Sequence, residues 1–384
     1  MTRSKPEDFS RRDFIGVSIG AAAAAAAAAI GCGSGNGSGG TQTAAGGNGG
    51  ASAGGGGAGT TAGGGAATGG TQGAPAGGAA TGGAGAGGSG STSGTPLVSM
   101  VRGTDWVQAT QDAIAAAGGL PDLNGKTVML RPNVISTSAN STTSKDVIQG
   151  VIRAVKAKNP AKIIVGEDGW NTGGDTLGAM TTLGITAVCT AESTTAMPVT
   201  PMDLSKQTYT TRTNANASSY PNGVSFSDPV YNADYVIAIP ICKTHGQSRY
   251  TMAFKLWYGN VPGAGRLHPS AATFTAPPEL YLIKKADFVV LDATKCMTTG
   301  GPDSGTMAQS KIVVASKDAI AADVTGLCIL KYNGSTVIAT QADAWTINQV
   351  ARALALKFPG WLAAKAQFPY VSQGVTEAAT IMGY

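Results

Sequence analysis

The chain has very few histidines and no closely spaced pair of cysteines. Its 384 residues include only two histidines, His245 and His268, which are too far apart to form a His-x-x-x-His face of a helix. None of the five cysteines belongs to a Cys-x-x-Cys pair, so neither an iron–sulfur motif nor a structural zinc knuckle is visible. A metal site would therefore depend on residues that only the tertiary fold brings together.

Other common signatures are also missing. The sequence has no Walker or Rossmann fingerprint, and no Gly-x-Ser-x-Gly elbow surrounds Ser304. The net charge of +5 is too small to indicate a nucleic acid partner. These absences argue against nucleotide, nucleic acid and serine-hydrolase chemistry.

Charge is absent from a long stretch near the N-terminus, between residues 14 and 101. Within it, residues 33–95 consist mainly of Gly, Ala, Ser and Thr, and they lack the large apolar side chains that offset the entropy of ordering. We predict a disordered linker over 33–95 that acts as a flexible tether. The remaining residues, 96–384, are enough for a substantial α/β core.

The first 32 residues resemble an export signal. Residues 10–16, SRRDFIG, match the twin-arginine pattern, and the Ala-rich run at 17–30 is short for a membrane span. Residues 29–32, AIGC, resemble a bacterial lipobox with alanine where leucine is usual. We predict a signal over 1–32, export by the twin-arginine machinery to the periplasm or cell surface, and a lipid anchor at Cys32. An uncleaved anchor helix and cleavage without lipid are the alternatives.

Strands and helices alternate along residues 96–384. Apolar runs typical of buried strands lie at 97–102, 126–131, 162–166, 235–241, 288–291 and 311–314. Helical spacing and N-cap residues indicate helices at 105–117, from Ser144 to about 158, and from Asp318 to about 330. This order predicts an α/β fold with a mostly parallel sheet flanked by helices. We interpret 185–230 as a less regular insertion and 331–384 as mostly helical packing.

Polar residues follow several of these strands, at the edge of the sheet where ligands gather in α/β folds. They are Arg131 and Asn133, Glu167 and Asp168, Lys243 and His245, and Asp292. Several polar clusters at equivalent strand ends predict a site more strongly than any one of them alone.

A set of motifs resembles the family catalogued as domain of unknown function 362. The motifs are Arg131-Pro132-Asn133, Gly166-Glu167-Asp168, Lys243-Thr244-His245, Lys255 with Tyr258-Gly259 and Pro262-Gly263, Arg266-Leu267-His268, Gly301-Pro302 with Gly305, and Ala315-Ser316-Lys317-Asp318 with Asp323. The likeness covers nearly all of 97–330. The first motif usually begins with lysine, and many relatives carry a cysteine-rich ferredoxin segment that is not visible here. The resemblance implies a site, and it assigns no reaction.

Three cations in these motifs, Lys243, Lys255 and Arg266, would bind a carboxylate or a phosphate if they converged. Arg131 and Asn133 are further candidates for substrate contact, and the loop at Gly263 could cradle an anion through backbone amides. The alternatives are three solvated surface cations and a plain turn.

The two histidines suggest acid–base chemistry near neutral pH, and we predict His245, His268, Lys243 and Asp168 as catalytic residues. Both rings could instead bind a transition metal, with Asp168 or Asp292 as the third ligand, and our metal set is His245, His268 and Asp292. A third interpretation is two core histidines.

The leading functional hypothesis is an exported, enzyme-like domain that acts on a small anionic molecule, for example by proton abstraction beside a carboxylate. A metal-dependent oxidoreductase or electron-transfer protein is one alternative. A non-catalytic lipoprotein that captures an anionic ligand is the other. All three depend on the imidazoles and their basic neighbours meeting in one cleft.

Overall fold

The computed structural model of the chain describes residues 97–383, except residue 170 and residues 268–273. The predicted signal at 1–32, the lipidation site Cys32 and the linker at 33–95 lie outside the described residues. His268 lies outside them as well.

The strands and helices have the following bounds. The strands are β1 (Val98–Arg102), β2 (Thr127–Pro132), β3 (Lys162–Glu167), β4 (Val199–Asp203), β5 (Tyr209–Arg212), β6 (Val224–Ser227), β7 (Tyr235–Ile239), β8 (Ile241–His245), β9 (Arg249–Thr251), β10 (Phe288–Met297), β11 (Met307–Ala308), β12 (Ile312–Ser316) and β13 (Tyr370–Gln373). The α-helices are α1 (Trp106–Ala116), α2 (Lys145–Lys156), α3 (Thr176–Thr182), α4 (Ile185–Glu192), α5 (Asp228–Tyr231), α6 (Ala253–Leu256), α7 (Ala276–Leu280), α8 (Ala319–Tyr332), α9 (Asn348–Leu356) and α10 (Ala378–Met382). Short 3₁₀ helices include Trp257–Asn260 and Gly263–Arg266.

One mixed sheet of eleven strands forms the centre of the fold. Its main path runs β13-β1-β12-β10-β7-β2-β3-β4, and the pairs from β4 through β3, β2 and β7 to β10 are parallel. Strand β12 is antiparallel to both β10 and β1, while β13 is parallel to β1. The predicted α/β class with a mostly parallel sheet is therefore confirmed.

Helices cover the two faces of this sheet and create two cores. Helices α1, α2 and α4 bury apolar residues on one face, and α6, α7, α8 and α9 bury them on the other. The predicted N-caps Ser144 and Asp318, and Asp105 as well, accept backbone N–H groups at the starts of their helices, which satisfies donors that have no helical partner. None of the helices in the described ranges has both the length and the apolar character that crossing a bilayer requires.

Three details differ from the sequence prediction. The run at 235–241 is two strands, because Pro240 cannot donate to the ladder and separates β7 from β8. The interpretation of 185–230 as an insertion is wrong for its first part, since α4 packs on the sheet and β4 is an edge strand of it. The tail at 331–384 contributes β13 as well as helices, because pairing with β1 decides its conformation.

Candidate functional site

Strand β8 carries two of the predicted site residues beyond the end of β7. Lys243 and His245 are two positions apart, so their side chains leave the strand on the same face. The strand pairs with β10 on one side and with β9 on the other. Both side chains are buried, in a region built at the carboxyl ends of the parallel strands.

Lys243 is completely enclosed, and its Nζ forms hydrogen bonds with backbone carbonyl groups of the protein. Its Nζ donates to the carbonyl oxygens of Ser141 at 2.7 Å and Pro302 at 3.0 Å. Burial lowers the pKa of Lys243 to about 7, against the opposing effects of Asp303 and Glu167. The amine therefore gains and loses its proton near neutral pH, as a proton-transfer group must.

The loop between β10 and β11 packs directly on β8. A side-chain carbon at Gly301 would overlap the carbonyl oxygen of Thr244, so only glycine allows this approach. Asp303 in the same loop accepts from Asn171 Nδ2 at 3.3 Å through one oxygen. Its other oxygen, Oδ1, is buried and has no hydrogen-bond partner among the described residues.

Arg131 forms a buried ion pair at the end of β2. Its Nη2 lies 3.0 Å from Glu167 Oε1, its Nε donates to Asn260 Oδ1 at 2.6 Å, and its Nη1 donates to the carbonyl of Gly166. Burial raises the pKa of Glu167, and Arg131 opposes this shift. The guanidinium is fully enclosed and its donors bind protein groups, so the geometry favours a positioning role for Arg131 over the predicted contact with substrate.

Gly259 lies against this ion pair. A side-chain carbon at position 259 would overlap Glu167 Oε1 and crowd the guanidinium of Arg131. The 3₁₀ helix Trp257–Asn260 therefore rests on the ion pair through the hydrogen bond to Asn260 and through the contact at Gly259. The pair fixes the segment that follows Lys255.

Arg266 joins the same region to the end of β3. Its guanidinium forms an ion pair with Asp168 Oδ2, and its Nε donates to the carbonyls of Tyr258 at 3.0 Å and Val261 at 3.1 Å. Arg266 and Asp168, predicted from the sequence as a substrate contact and a catalytic residue, thus bind each other. Both are largely buried.

Lys255 is the exception among these charged groups. Its residue is 8% exposed, and no described residue offers its Nζ a hydrogen-bond acceptor or a carboxylate. The Nζ lies 4.4 Å from the centre of the Tyr258 ring, a cation–π distance. Burial lowers the pKa of Lys255 well below its ordinary value, and the charges of Arg266 and Lys243 lower it further. We call Lys243, Lys255 and Arg266 the cation cluster.

A buried carboxyl group holds the helix that carries Lys255. Asp323 on α8 accepts from the backbone N–H of Ala253 at 2.8 Å and of Phe254 at 3.4 Å, and from the Tyr250 hydroxyl at 3.2 Å. Desolvation raises the pKa of Asp323 to about 7. Because α6 is a single turn, this cap supplies much of what keeps it in place.

His245 has a defined orientation. Its Nδ1 accepts from the backbone N–H of Gln247 at 3.1 Å and of Ser248 at 3.2 Å. Since Nδ1 acts as an acceptor, the proton of the neutral ring is on Nε2. In this tautomer His245 offers a donor from Nε2, and binding a metal through Nε2 would require the other tautomer.

The Asp292 carboxylate binds donors of the protein through both of its oxygens. Its Oδ2 accepts from the backbone N–H of Ser144 at 2.7 Å, and its Oδ1 accepts from the N–H of Thr294 at 3.0 Å and the Thr294 hydroxyl at 2.6 Å. Within the described ranges, no group of three His, Cys, Asp or Glu side chains is placed to hold a metal. The metal set of His245, His268 and Asp292 stays a prediction, as does the meeting of the two imidazoles.

The other predicted contacts differ in exposure. Asn133 is buried, its backbone N–H donates to Thr143 Oγ1 at 2.9 Å, and its Oδ1 has no hydrogen-bond partner in the described part of the chain. Gly263 is exposed in the turn Gly263–Arg266. Asn133 therefore has an atom ready for a ligand, whereas Gly263 forms part of the outer turn.

Comparison with known proteins places the chain in a family. The family model described as domain of unknown function (DUF362) matches residues 128–327, more than half of the chain. The chain belongs to the DUF362 family. Among curated proteins, no match is found. The DUF362 match covers β2 through most of α8 and contains every charged group of the cation cluster.

Several groups in this DUF362 site were not predicted as site residues. Glu167, rather than Asp168 alone, forms a central ion pair, and Asn260 and Asp303 contribute buried polar atoms. Tyr220, which lies in the segment interpreted as an insertion, donates to the carbonyl of Gly265 at 2.9 Å. This hydrogen bond supports the turn before Arg266. The position of Glu167 as the last strand residue beside Arg131 is the one signal that could have identified it.

Proposed function

We propose that this DUF362 domain binds a small anionic molecule at the cation cluster and carries out proton transfer on it. The observation that supports this most strongly is Lys255, whose Nζ has no acceptor among the described residues although it lies beside two other cations. A carboxylate or phosphate bound there would stabilise the charged form of Lys255, which burial and the neighbouring cations disfavour.

The energetic argument rests on the difference between paired and unpaired buried charges. Leaving an ammonium enclosed without a counter-charge costs several kcal/mol. Proteins keep such groups where a ligand compensates them or where a shifted pKa serves chemistry. Lys255 is 8% exposed, whereas Lys243 is fully enclosed, so Lys255 is the more accessible of the two to a ligand.

Proton transfer is supported by the groups around Lys255. Lys243 exchanges its proton near neutral pH because burial lowers its pKa to about 7. The ring of His245 is fixed by the two backbone N–H groups that its Nδ1 accepts. A concrete reaction is proton abstraction beside the carboxylate of a small acid, with Lys243 storing the proton and Lys255 and Arg266 holding the charge.

The binding part is tested by thermal unfolding of the purified protein with phosphate and with short mono- and dicarboxylates. We expect at least one of these anions to raise the melting temperature of the wild type, and Lys255→Met to lose that response. Lys162→Met is the matched control, because Lys162 is exposed at the opposite end of β3. An equal response in Lys255→Met would overturn the proposal.

The proton-transfer part is tested by deuterium exchange. A bound carboxylic acid should incorporate solvent deuterium at the carbon beside its carboxylate in the wild type, and His245→Ala should slow this exchange. Binding without any exchange in the wild type would leave a capture protein. A stoichiometric transition metal in natively exported protein would instead favour the redox alternative.

We also propose that the protein is exported by the twin-arginine route and anchored to a membrane by lipid on Cys32. Residues 10–16 and 29–32 support this proposal. Cell fractionation tests it: Arg11→Lys with Arg12→Lys should keep the protein in the cytoplasm, and Cys32→Ala should release it from membranes. Export of the double variant, or membrane retention of Cys32→Ala, would contradict the corresponding part.

A further inference from the structure

We propose that Lys255 is an amine nucleophile that forms an imine with the carbonyl group of a 2-oxo carboxylate. This inference rests on the proposed anion site and specifies both the substrate class and the covalent step. The carbon next to the carboxylate of a 2-oxo acid carries no hydrogen, so in this substrate class the proton removed is the one on the carbon beside the imine.

The first argument is the environment of the nitrogen. A lysine amine attacks a carbonyl through its nitrogen lone pair, so the amine has to be neutral and free to move onto the carbonyl carbon. Lys243 donates to two carbonyls, whereas no described residue accepts a hydrogen bond from Lys255 Nζ. Its neighbour on one side is the face of Tyr258, at 4.4 Å from the ring centre. Among the described residues, none therefore holds Lys255 Nζ by a hydrogen bond in the way that Ser141 and Pro302 hold Lys243.

The second argument is the charge around it. Desolvation and neighbouring cations are the two means by which proteins make a lysine amine available for imine formation. Lys255 has both, since it is buried and the charges of Arg266 and Lys243 act on it, and its pKa is lowered for these reasons. The same neighbours would attract the carboxylate of a substrate.

The third argument is rigidity. The backbone N–H groups of Ala253 and Phe254 bind Asp323, and the carbonyl of Ala253 accepts from the Tyr281 hydroxyl at 2.8 Å. The turn that carries Lys255 is thus held at its start by two side chains. A fixed amine beside a fixed anion site meets the positional requirement for attack on a bound carbonyl.

The substrate class follows from these positions. The carboxylate of a 2-oxo acid lies one bond from its carbonyl carbon, so binding of the carboxylate by the cation cluster brings the carbonyl to the amine. In the reaction, Nζ bonds to the carbonyl carbon, and the oxygen leaves as water with both amine protons. The products are one imine and one water, and no oxidant or reductant is consumed.

The experiment is reductive trapping of the purified full chain with pyruvate and borohydride. We expect a single reduced adduct, located by peptide mass spectrometry on Lys255, with several-fold less labelling when phosphate or lactate is added as a competitor. Lys255→Arg, which keeps a cation without a free amine, should lose the adduct. Lys162→Met should keep it.

The possible failures are distinguishable. If pyruvate and lactate both raise the melting temperature but no adduct forms on Lys255, the imine is excluded and the anion site stands. If neither binding nor an adduct is detected, both proposals fail. Labelling of Lys255 at a level no higher than that of exposed lysines such as Lys162 would also overturn the imine. The competition in the wild type decides the question even where a variant folds poorly.

Discussion

Arg131 and Lys255 are two buried basic residues in the same region of the fold, and their surroundings differ in the hydrogen-bond acceptors that they supply. Arg131 has a carboxylate at 3.0 Å, and its donors bind protein oxygens. Lys255 Nζ faces the Tyr258 ring and is influenced by two like charges, and none of the described residues accepts a hydrogen bond from it. The Arg131 ion pair therefore stabilises the fold, whereas Lys255 is left without a hydrogen-bond partner in the described part of the protein, as expected of a group that binds a ligand. Four predictions test this difference.

The largest effect is expected at the compensated site. Arg131→Met removes the counter-charge of Glu167 and leaves a buried carboxylate alone, so we expect a loss of about 3–5 kcal/mol in the free energy of unfolding. Urea unfolding measures it. The double variant Arg131→Met with Glu167→Gln should recover part of the loss, and a single-variant loss below about 1 kcal/mol would contradict a scaffold role.

A smaller loss is expected at the glycine that rests on the same ion pair. Gly259→Ala places a methyl group against Glu167 Oε1, so we expect a cost of about 1–3 kcal/mol from overpacking. Gly263→Ala is the matched control, because a side-chain carbon there meets nothing within 4 Å. Equal stabilities of the two variants in urea would contradict the proposed contact.

The third prediction concerns the carboxyl group that holds the turn of Lys255. Because the pKa of Asp323 is raised from 3.8 to about 7, the folded state binds this proton more tightly than the unfolded chain does. Its contribution to stability therefore falls as the pH rises, by about 1 kcal/mol between about pH 6 and about pH 7. Urea unfolding of Asp323→Asn across this range should lack that part of the slope, and an unchanged slope would contradict the assignment.

The smallest effect on stability is expected at Lys255 itself. Without ligand, Lys255→Met exchanges an uncompensated buried amine for an apolar side chain, so we expect a change between zero and a gain of about 1 kcal/mol. Chemical unfolding in an anion-free buffer measures it, with Lys162→Met as the control. A loss comparable to that of Arg131→Met would show that Lys255 has a structural partner, and the comparison would fail.

Local sequence signals predicted much of this architecture. Ser144 and Asp318 were recognisable as caps because capping depends on neighbouring residues alone. Strands β4 and β13 were not, because edge strands are fixed by partners distant in sequence. Pro240 lies within a continuous apolar run, which is why the sequence predicts one strand where the structure has two.

For the candidate site, the sequence indicates which polar residues lie at neighbouring strand ends, and the structure adds the partner of each. The motifs placed Lys243, Lys255 and Arg266 together, and the structure brings them close enough to influence one another. The sequence does not show which carboxylate each arginine binds, because Glu167 and Asp168 are adjacent and either could pair with Arg131 or Arg266. In the structure Arg131 binds Glu167 and Arg266 binds Asp168. That choice depends on side-chain directions at the strand ends.

A crystal structure of the protein soaked in bromide, with the ions located by anomalous scattering, shows most directly whether Lys255 binds an external anion. We expect a bromide peak within hydrogen-bond distance of Lys255 Nζ, between it and the other members of the cation cluster. Absence of bromide there, with Lys255 Nζ bonded to a carboxylate or carbonyl of the protein, would contradict this expectation.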